Sequence, residues 1–223
     1  MHIRTPAILA ATAALALGAA ACGSDDEATS SSSGSSGSSQ QAKPVADIPS
    51  LSGKSTAVTL DSGFVDALTQ LKLTPSPIGD ATISKQGVAS FPITGGNVKY
   101  FKPGSVSPFV QGEIDHNGSG LQLKGGGKTV DLTNFVVDPG ASVLTGKVTV
   151  DGKEAAASAP LFFLDGRTLK PLEAKDDGTA VLEGTTVKFK DESAQLLNKT
   201  FGVDALKGGL EVGVAKITVN TGS

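Results

Sequence analysis

His116 is the one histidine outside the N-terminal leader, Tyr100 is the only tyrosine and Cys22 the only cysteine. Together with the carboxylates, these are the side chains that could do chemistry, and their surroundings exclude most of it. A Ser-His-Asp hydrolase would use His116 as its base, with Asp115, Asp131 or Asp138 to orient the ring. No Gly-x-Ser-x-Gly elbow is present, and Ser119 sits in the turn-like run Asn117-Gly118-Ser119-Gly120. Glu113 and Asp115 fall on one face of an alternating segment and His116 on the other, so the three do not converge on a metal. With one histidine and no second cysteine, zinc has too few ligands. The loops Asp138-Pro139-Gly140 and Lys175-Asp176-Asp177-Gly178 hold oxygens that suit calcium, but the second lacks the alternating Asp/Asn pattern of an EF-hand, and both read as turns. Gly125-Gly126-Gly127-Lys128 lacks the spacing and the following helix of a phosphate loop and reads as a hairpin turn. The expectation is a non-enzymatic protein with no metal site. His116 and Tyr100 are its candidate ligand-binding residues, unless His116 is a turn histidine whose ring bonds nearby backbone.

The stretch that must position His116 is Gly112–Leu123, GEIDHNGSGLQL. Its alternation predicts strands over 109–115 and 120–124, and Asn117-Gly118 between them is a two-residue hairpin signal. Two similar segments flank this middle. Upstream, Thr56–Leu60 reads as a strand and Asp61 as a cap for a helix with Phe64, Val65, Leu68 and Leu71 on one face. Pro75 and Pro77 end that helix, and a second strand follows over 87–93. Downstream, a strand over 185–189, an Asp191 cap, a helical face of Ala194, Leu197 and Phe201, a C′ glycine at Gly202 and a strand over 213–219 repeat the order. The pairs Val58/Val187, Leu60/Phe189, Leu68/Leu197, Phe91/Ile217 and Ile93/Val219 match, so residues 55–95 and 184–220 form a pseudo-repeat.

Between the copies, short strands over 97–101, 128–132, 133–137, 143–150, 161–164 and 179–182 alternate with turn signals every ~8–12 residues. The fold class is therefore mainly β (α+β): an antiparallel sandwich or barrel-like domain over 48–223, with two short helices in a repeated strand–helix–strand unit. Net charge is −3 and no basic patch appears, which excludes nucleic acid as a partner. The absence of tryptophan and the single tyrosine leave no aromatic platforms for sugars or bases.

Residues 1–21 carry Arg4 and then an Ala/Leu-rich run that ends on small residues, a signal peptide too short to span a bilayer. Cys22 follows Ala19-Ala20-Ala21 in the manner of a bacterial lipobox, although the Leu usual three residues before the cysteine is Ala19 here. A lone cysteine makes no internal disulfide, so acylation is its expected use. More than one acyl chain, at ~0.8 kcal/mol per buried methylene, gives a stable anchor. Residues 22–47, with a Ser/Gly-rich heart, read as a flexible tether. The expected location is the extracytoplasmic face of the cell membrane, with an envelope protein or a small ligand as partner.

Three motifs carry a resemblance: Phe91-Pro-Ile-Thr-Gly-Gly96, Gly112-x-Ile-x-His116-x-Gly-x-Gly-Leu121, and Leu197-Asn-x-x-Phe-Gly202. Spread over most of residues 55–220, they resemble a family of exported, uncharacterised actinobacterial lipoproteins. More distantly, the His116 motif with Asp138-Pro139 downstream resembles the β-rich Htaa-type domains of haem-uptake proteins, which hold haem with Tyr and His. That likeness implies His116 as the motif histidine and Tyr100 as the available tyrosine, and haem as a possible cofactor. Two functions follow as expectations: an anchored envelope module with a binding or structural role, or a small-ligand carrier with a pocket near His116.

Overall fold

The structure is a computed structural model that describes residues 42–221. The predicted signal peptide, Cys22 and most of the predicted tether lie outside the described residues. In chain order the strands are β1 Ala46–Ile48, β2 Lys54–Leu60, β3 Thr74–Ile78, β4 Thr82–Ile83, β5 Val88–Pro92, β6 Gly95–Tyr100 and β7 Val110–Gly125. They continue as β8 Lys128–Asp138, β9 Val143–Val150, β10 Lys153–Asp165, β11 Glu173–Ala174, β12 Thr179–Phe189 and β13 Glu211–Asn220. Helix α1 spans Ser62–Gln70 and α2 Asp191–Phe201. The last residues of the predicted tether thus join the sheet, where Ala46–Ile48 pairs with Tyr100–Val98.

The named strands all pair antiparallel, in the order β1-β6-β7-β8-β9-β10-β12-β13-β2-β5-β4, with β3 beside β7 and β11 beside β12. This one sheet curls into a half-barrel. His116 on β7 reaches Thr56 on β2, which lies six places further along the sheet, and Phe91 on β5 stacks edge-on against Phe135 on β8 at 5.2 Å. The predicted barrel-like class is what forms. Its apolar face is concave: Ile114, Leu132, Val137, Leu164, Val187 and Val219 all point inward and are buried.

The two strand–helix–strand units occupy opposite ends of the chain yet lie side by side, since β13 pairs with β2 from Gly213↔Leu60 to Val219↔Lys54. Matched residues play matched parts. Val58, Leu60, Val187 and Phe189 face the interior, and Leu68 and Leu197 are the buried anchors of the two helices. Both helices cover the end of the half-barrel where β2 and β12 finish. There Phe64 of α1 packs on Phe189 at 5.9 Å, and Phe189 on Phe162 at 5.3 Å.

Helix α1 starts as expected, with Asp61 accepting from the Phe64 amide at 3.2 Å. Helix α2 starts one residue earlier than the Asp191 cap implies. Lys190 is the cap position, without a side-chain bond, and Asp191 and Glu192 lie in the first turn, where the helix dipole favours them. Gly202 ends α2 in the left-handed region, as a C′ glycine should.

The central correction concerns the hairpin at Asn117-Gly118. No chain reversal occurs there: β7 runs unbroken from Val110 to Gly125, and the reversal comes at Gly126-Gly127. Asn117–Ser119 form a bulge opposite Asn134 alone, because His116 pairs with Phe135 and Gly120 with Thr133. The positive φ of Gly118, read as turn chemistry, is used to swell the strand. The orphaned amides find side chains: Asn117 donates to Thr94 Oγ1 at 2.8 Å and Gly118 to Asn134 Oδ1 at 2.9 Å. The opposite edge of β7 changes partner across the bulge, from β6 to β3. Residues 74–78, expected only to end a helix, supply that second partner. The prolines of β3, on an edge strand, offer no amide to a further neighbour and so blunt the edge.

Several other predicted strands prove to be pieces of longer ones. Residues 128–132 and 133–137 merge into β8, 161–164 is the end of β10, and 179–182 joins 185–189 through a bulge at Gly184.

Candidate functional site

The concave face of the sheet is incompletely filled. Its side chains enclose a cavity of about 630 Å³ whose wall is overwhelmingly aliphatic and phenylalanine. That volume lies within the roughly 300–1,000 Å³ typical of small-ligand pockets. The β6–β7, β8–β9 and β10–β11 connections contribute Pro108, Pro139 and Arg167 to the lining and border its mouth, while Phe64 on α1 closes the far end. Both sequence-predicted residues, His116 and Tyr100, line this cavity, and both are almost fully buried, with 1% and 5% exposure.

His116 sits just before the bulge of β7, where strand alternation turns it inward, opposite to Glu113 and Asp115. Its ring Nδ1 lies 3.3 Å from the Phe135 carbonyl and its Nε2 lies 2.8 Å from Thr56 Oγ1. A carbonyl can only accept, so Nδ1 carries the proton, Nε2 is the acceptor and the Thr56 hydroxyl donates. Burial pushes the His116 pKa down to about 4, against the smaller opposing effects of the Phe135 carbonyl and the Asp115 charge. The ring is therefore neutral at physiological pH, with both nitrogens engaged. The backbone bond runs across the β7–β8 ladder, not within a turn.

Tyr100 ends β6 at the rim, edge-on to Phe109 at 5.9 Å. Near it the segment after β10 crosses the mouth. Asp165, 5% exposed, accepts from Arg167 (Nη2–Oδ2 2.6 Å, Nε–Oδ1 2.9 Å) and from Lys188 at 2.9 Å. These cations, Arg167 first, hold the Asp165 carboxyl well below the usual carboxylate range. The two Asp loops weighed for calcium and read as turns close on themselves: Asp138 accepts from the Ala141 amide at 2.8 Å, and Asp177 from the Thr179 amide at 3.1 Å. Among the described residues no three His, Cys, Asp or Glu side chains gather as metal ligands would.

Of the residues that line or border the cavity, sequence reasoning named His116 and Tyr100 as candidates and did not single out Thr56, Phe91 or the Asp165–Arg167–Lys188 cluster. Thr56 left a signal. It shares strand parity with Val58 and Leu60, which makes it a polar residue on an apolar face. The cluster left none, because its members come together only through the pairing of β10 with β12.

No protein-family model matches the chain, and no curated protein matches it. Among solved structures it is similar to the C-terminal domain of HtaA from Corynebacterium glutamicum, with a TM-score of 0.55 and 13% identity over 78% of this chain and 99% of that domain. A domain-swapped dimeric histidine-to-alanine variant of the same domain aligns with a TM-score of 0.45 and 12% identity, over 72% of this chain and 92% of the variant. The half-barrel described above is the fold of that HtaA domain.

Proposed function

We propose that the chain is a lipid-anchored, extracytoplasmic binding protein that holds a small apolar ligand inside its half-barrel, without catalysing a reaction. The observation that carries this reading is the apolar cavity of about 630 Å³ behind a loop-lined mouth. A domain built only as a structural module would fill its concave face with side chains, since interiors pack to crystal-like density. The lipobox-like Cys22 and the Ser/Gly-rich tether would hold this carrier at the membrane surface.

Haem is the ligand to test first, on the strength of the HtaA fold and the motif around His116. The residues fit it only in part. His116 offers no free ring nitrogen while it bonds Phe135 and Thr56, so as folded it is a wall residue, and the Tyr100 phenol is the donor left for an iron.

Thermal unfolding of residues 42–221 with haemin and with palmitate tests the carrier reading. A ligand at ~100 times its Kd stabilises by about 2.7 kcal/mol, which raises the midpoint by about 5–10 °C for a domain of this size. A shift of that order with either compound is expected. No shift with either would turn the reading to an envelope module that meets a protein partner. In producing cells, Cys22→Ser is expected to move the full chain from the membrane to the soluble fraction; retention in the membrane would remove the lipid anchor.

A further inference from the structure

A second recess of about 360 Å³ adjoins the mouth of the cavity and shares Tyr100, Phe109, Arg167 and Leu169 with it. Its remaining wall includes Lys170 and Pro171. The wall of the cavity is mostly apolar, whereas Arg167, Lys170 and Tyr100 all contribute to the wall of the recess. From this juxtaposition of Arg167, Lys170 and Tyr100 at the open end of an apolar sleeve, we propose that the ligand is an acyl amphiphile. Its hydrocarbon chain lies in the half-barrel and its anionic head, a carboxylate or a phosphate, rests in the recess. This inference rests on the carrier reading and names its ligand class.

The two cations of the recess, Arg167 and Lys170, each share their acid with a second base. Arg167 and Lys188 share the single carboxylate of Asp165, and Lys170 and Lys216 share that of Glu183, at 2.6 and 3.6 Å. Each acid thus serves two bases, so neither Arg167 nor Lys170 has a carboxylate to itself, while Lys188, Glu183 and Lys216 alternate with the cavity-lining Val187, Leu182 and Ile217 and lie on the outer face of the sheet. Arg167 has an 82% exposed side chain, and Lys170 is 65% exposed. Both can turn toward a bound head without unfolding anything, while Lys188 stays behind to hold Asp165. The guanidinium offers a planar fork to a carboxylate or a phosphate oxygen pair. The apolar cavity does not suit a ligand charged along its length, because its polar side chains away from Tyr100, Arg167 and the loops at the mouth are few: Thr185, and Thr56 and His116, which are already bonded to each other.

The test is displacement of the fluorescent fatty acid cis-parinaric acid from residues 42–221, a unit with its own core and complete sheet. The competitors are palmitate, hexadecyl phosphate, hexadecanol (the same chain without charge) and haemin. Palmitate and hexadecyl phosphate are expected to compete about tenfold or more better than hexadecanol, the factor that a charge-assisted hydrogen bond supplies. The ratio should fall as salt is raised. Arg167→Gln with Lys170→Gln should bring the anionic competitors down to hexadecanol and leave hexadecanol unchanged. The wild-type salt series gives the same answer even if the double variant is unstable. Whichever of palmitate and hexadecyl phosphate competes better identifies the head. Equal competition by charged and neutral chains, at every salt, overturns the head site and leaves the carrier reading intact. Haemin bound with no acyl compound bound overturns the acyl class alone. If neither haemin nor any acyl compound binds, both proposals fall.

Discussion

His116 is a buried base whose protonation the fold opposes, and this sets a direction for pH dependence. Its pKa is about 4 in the folded chain and near 6.5 when unfolded. Above the unfolded value both states are neutral and nothing is lost. As pH falls from 6.5 toward 4, the unfolded chain takes up a proton that the folded chain refuses, and stability declines by up to about 3 kcal/mol before the loss levels off. The paired carboxylates Asp151, Asp165, Asp177 and Glu183 are shifted downward, so their losses come at more acid pH. Urea unfolding at a series of pH values should therefore show a slope between 6.5 and 4 in the wild type, and its disappearance in His116→Gln. An unchanged slope in the variant would mean that another group carries it. The same residue shows what was legible at this scale. Alternation alone put His116 on the face opposite Glu113 and Asp115. Its partners, the Phe135 carbonyl and Thr56, lie 19 and 60 residues away and are set by sheet curvature, which no local pattern encodes.

At the scale of elements, the β7 bulge separates two glycines that look alike in the sequence. Gly118 has a positive φ and open space where a Cβ would stand, so Gly118→Ala should cost about 1–2 kcal/mol, the strain of a left-handed residue. Gly120 has ordinary φ, but a Cβ there would run into the Leu132 carbonyl oxygen and lie 2.8 Å from the Thr133 Cα. Gly120→Ala must push β8 away and should cost more than Gly118→Ala, with weakened amide protection across β7 and β8 in hydrogen exchange. A true Asn-Gly hairpin would reverse that order, since the turn glycine would then matter most. The paired helices, the glycine stop of α2 and the inward faces of β2, β5, β12 and β13 were readable, because periodicity and caps are local. The bulge was not. Asn-Gly satisfies a two-residue turn and a strand bulge equally well, and the choice is made by β3 and β6, which pair in succession along the same edge of β7. Strand β3 was hidden for a related reason. Its prolines read as breakers, whereas an edge strand tolerates them.

For the whole molecule, the barrel-like class was legible in the spacing of turns, but the cavity was not, since an apolar face reads the same whether its partner is side chain or empty space. The distinction can be measured by filling the space. In a core at normal density, an enlarged side chain forces strain that typically costs about 1–3 kcal/mol. Val137 is 4% exposed and lines the cavity on β8, so Val137→Phe places a ring where the structure holds no protein atoms. Stability is expected to stay level or rise, because new dispersion contacts replace a void. Binding of cis-parinaric acid or haemin should fall sharply, because the ring takes the ligand's place. A loss of stability with ligand binding intact would mean that the wall around Val137 is already packed and that the ligand lies elsewhere. The paired result, stability kept and binding lost, ties the incomplete filling of the half-barrel to a carrier's function, for a fold that gives up packing at its centre needs an occupant there.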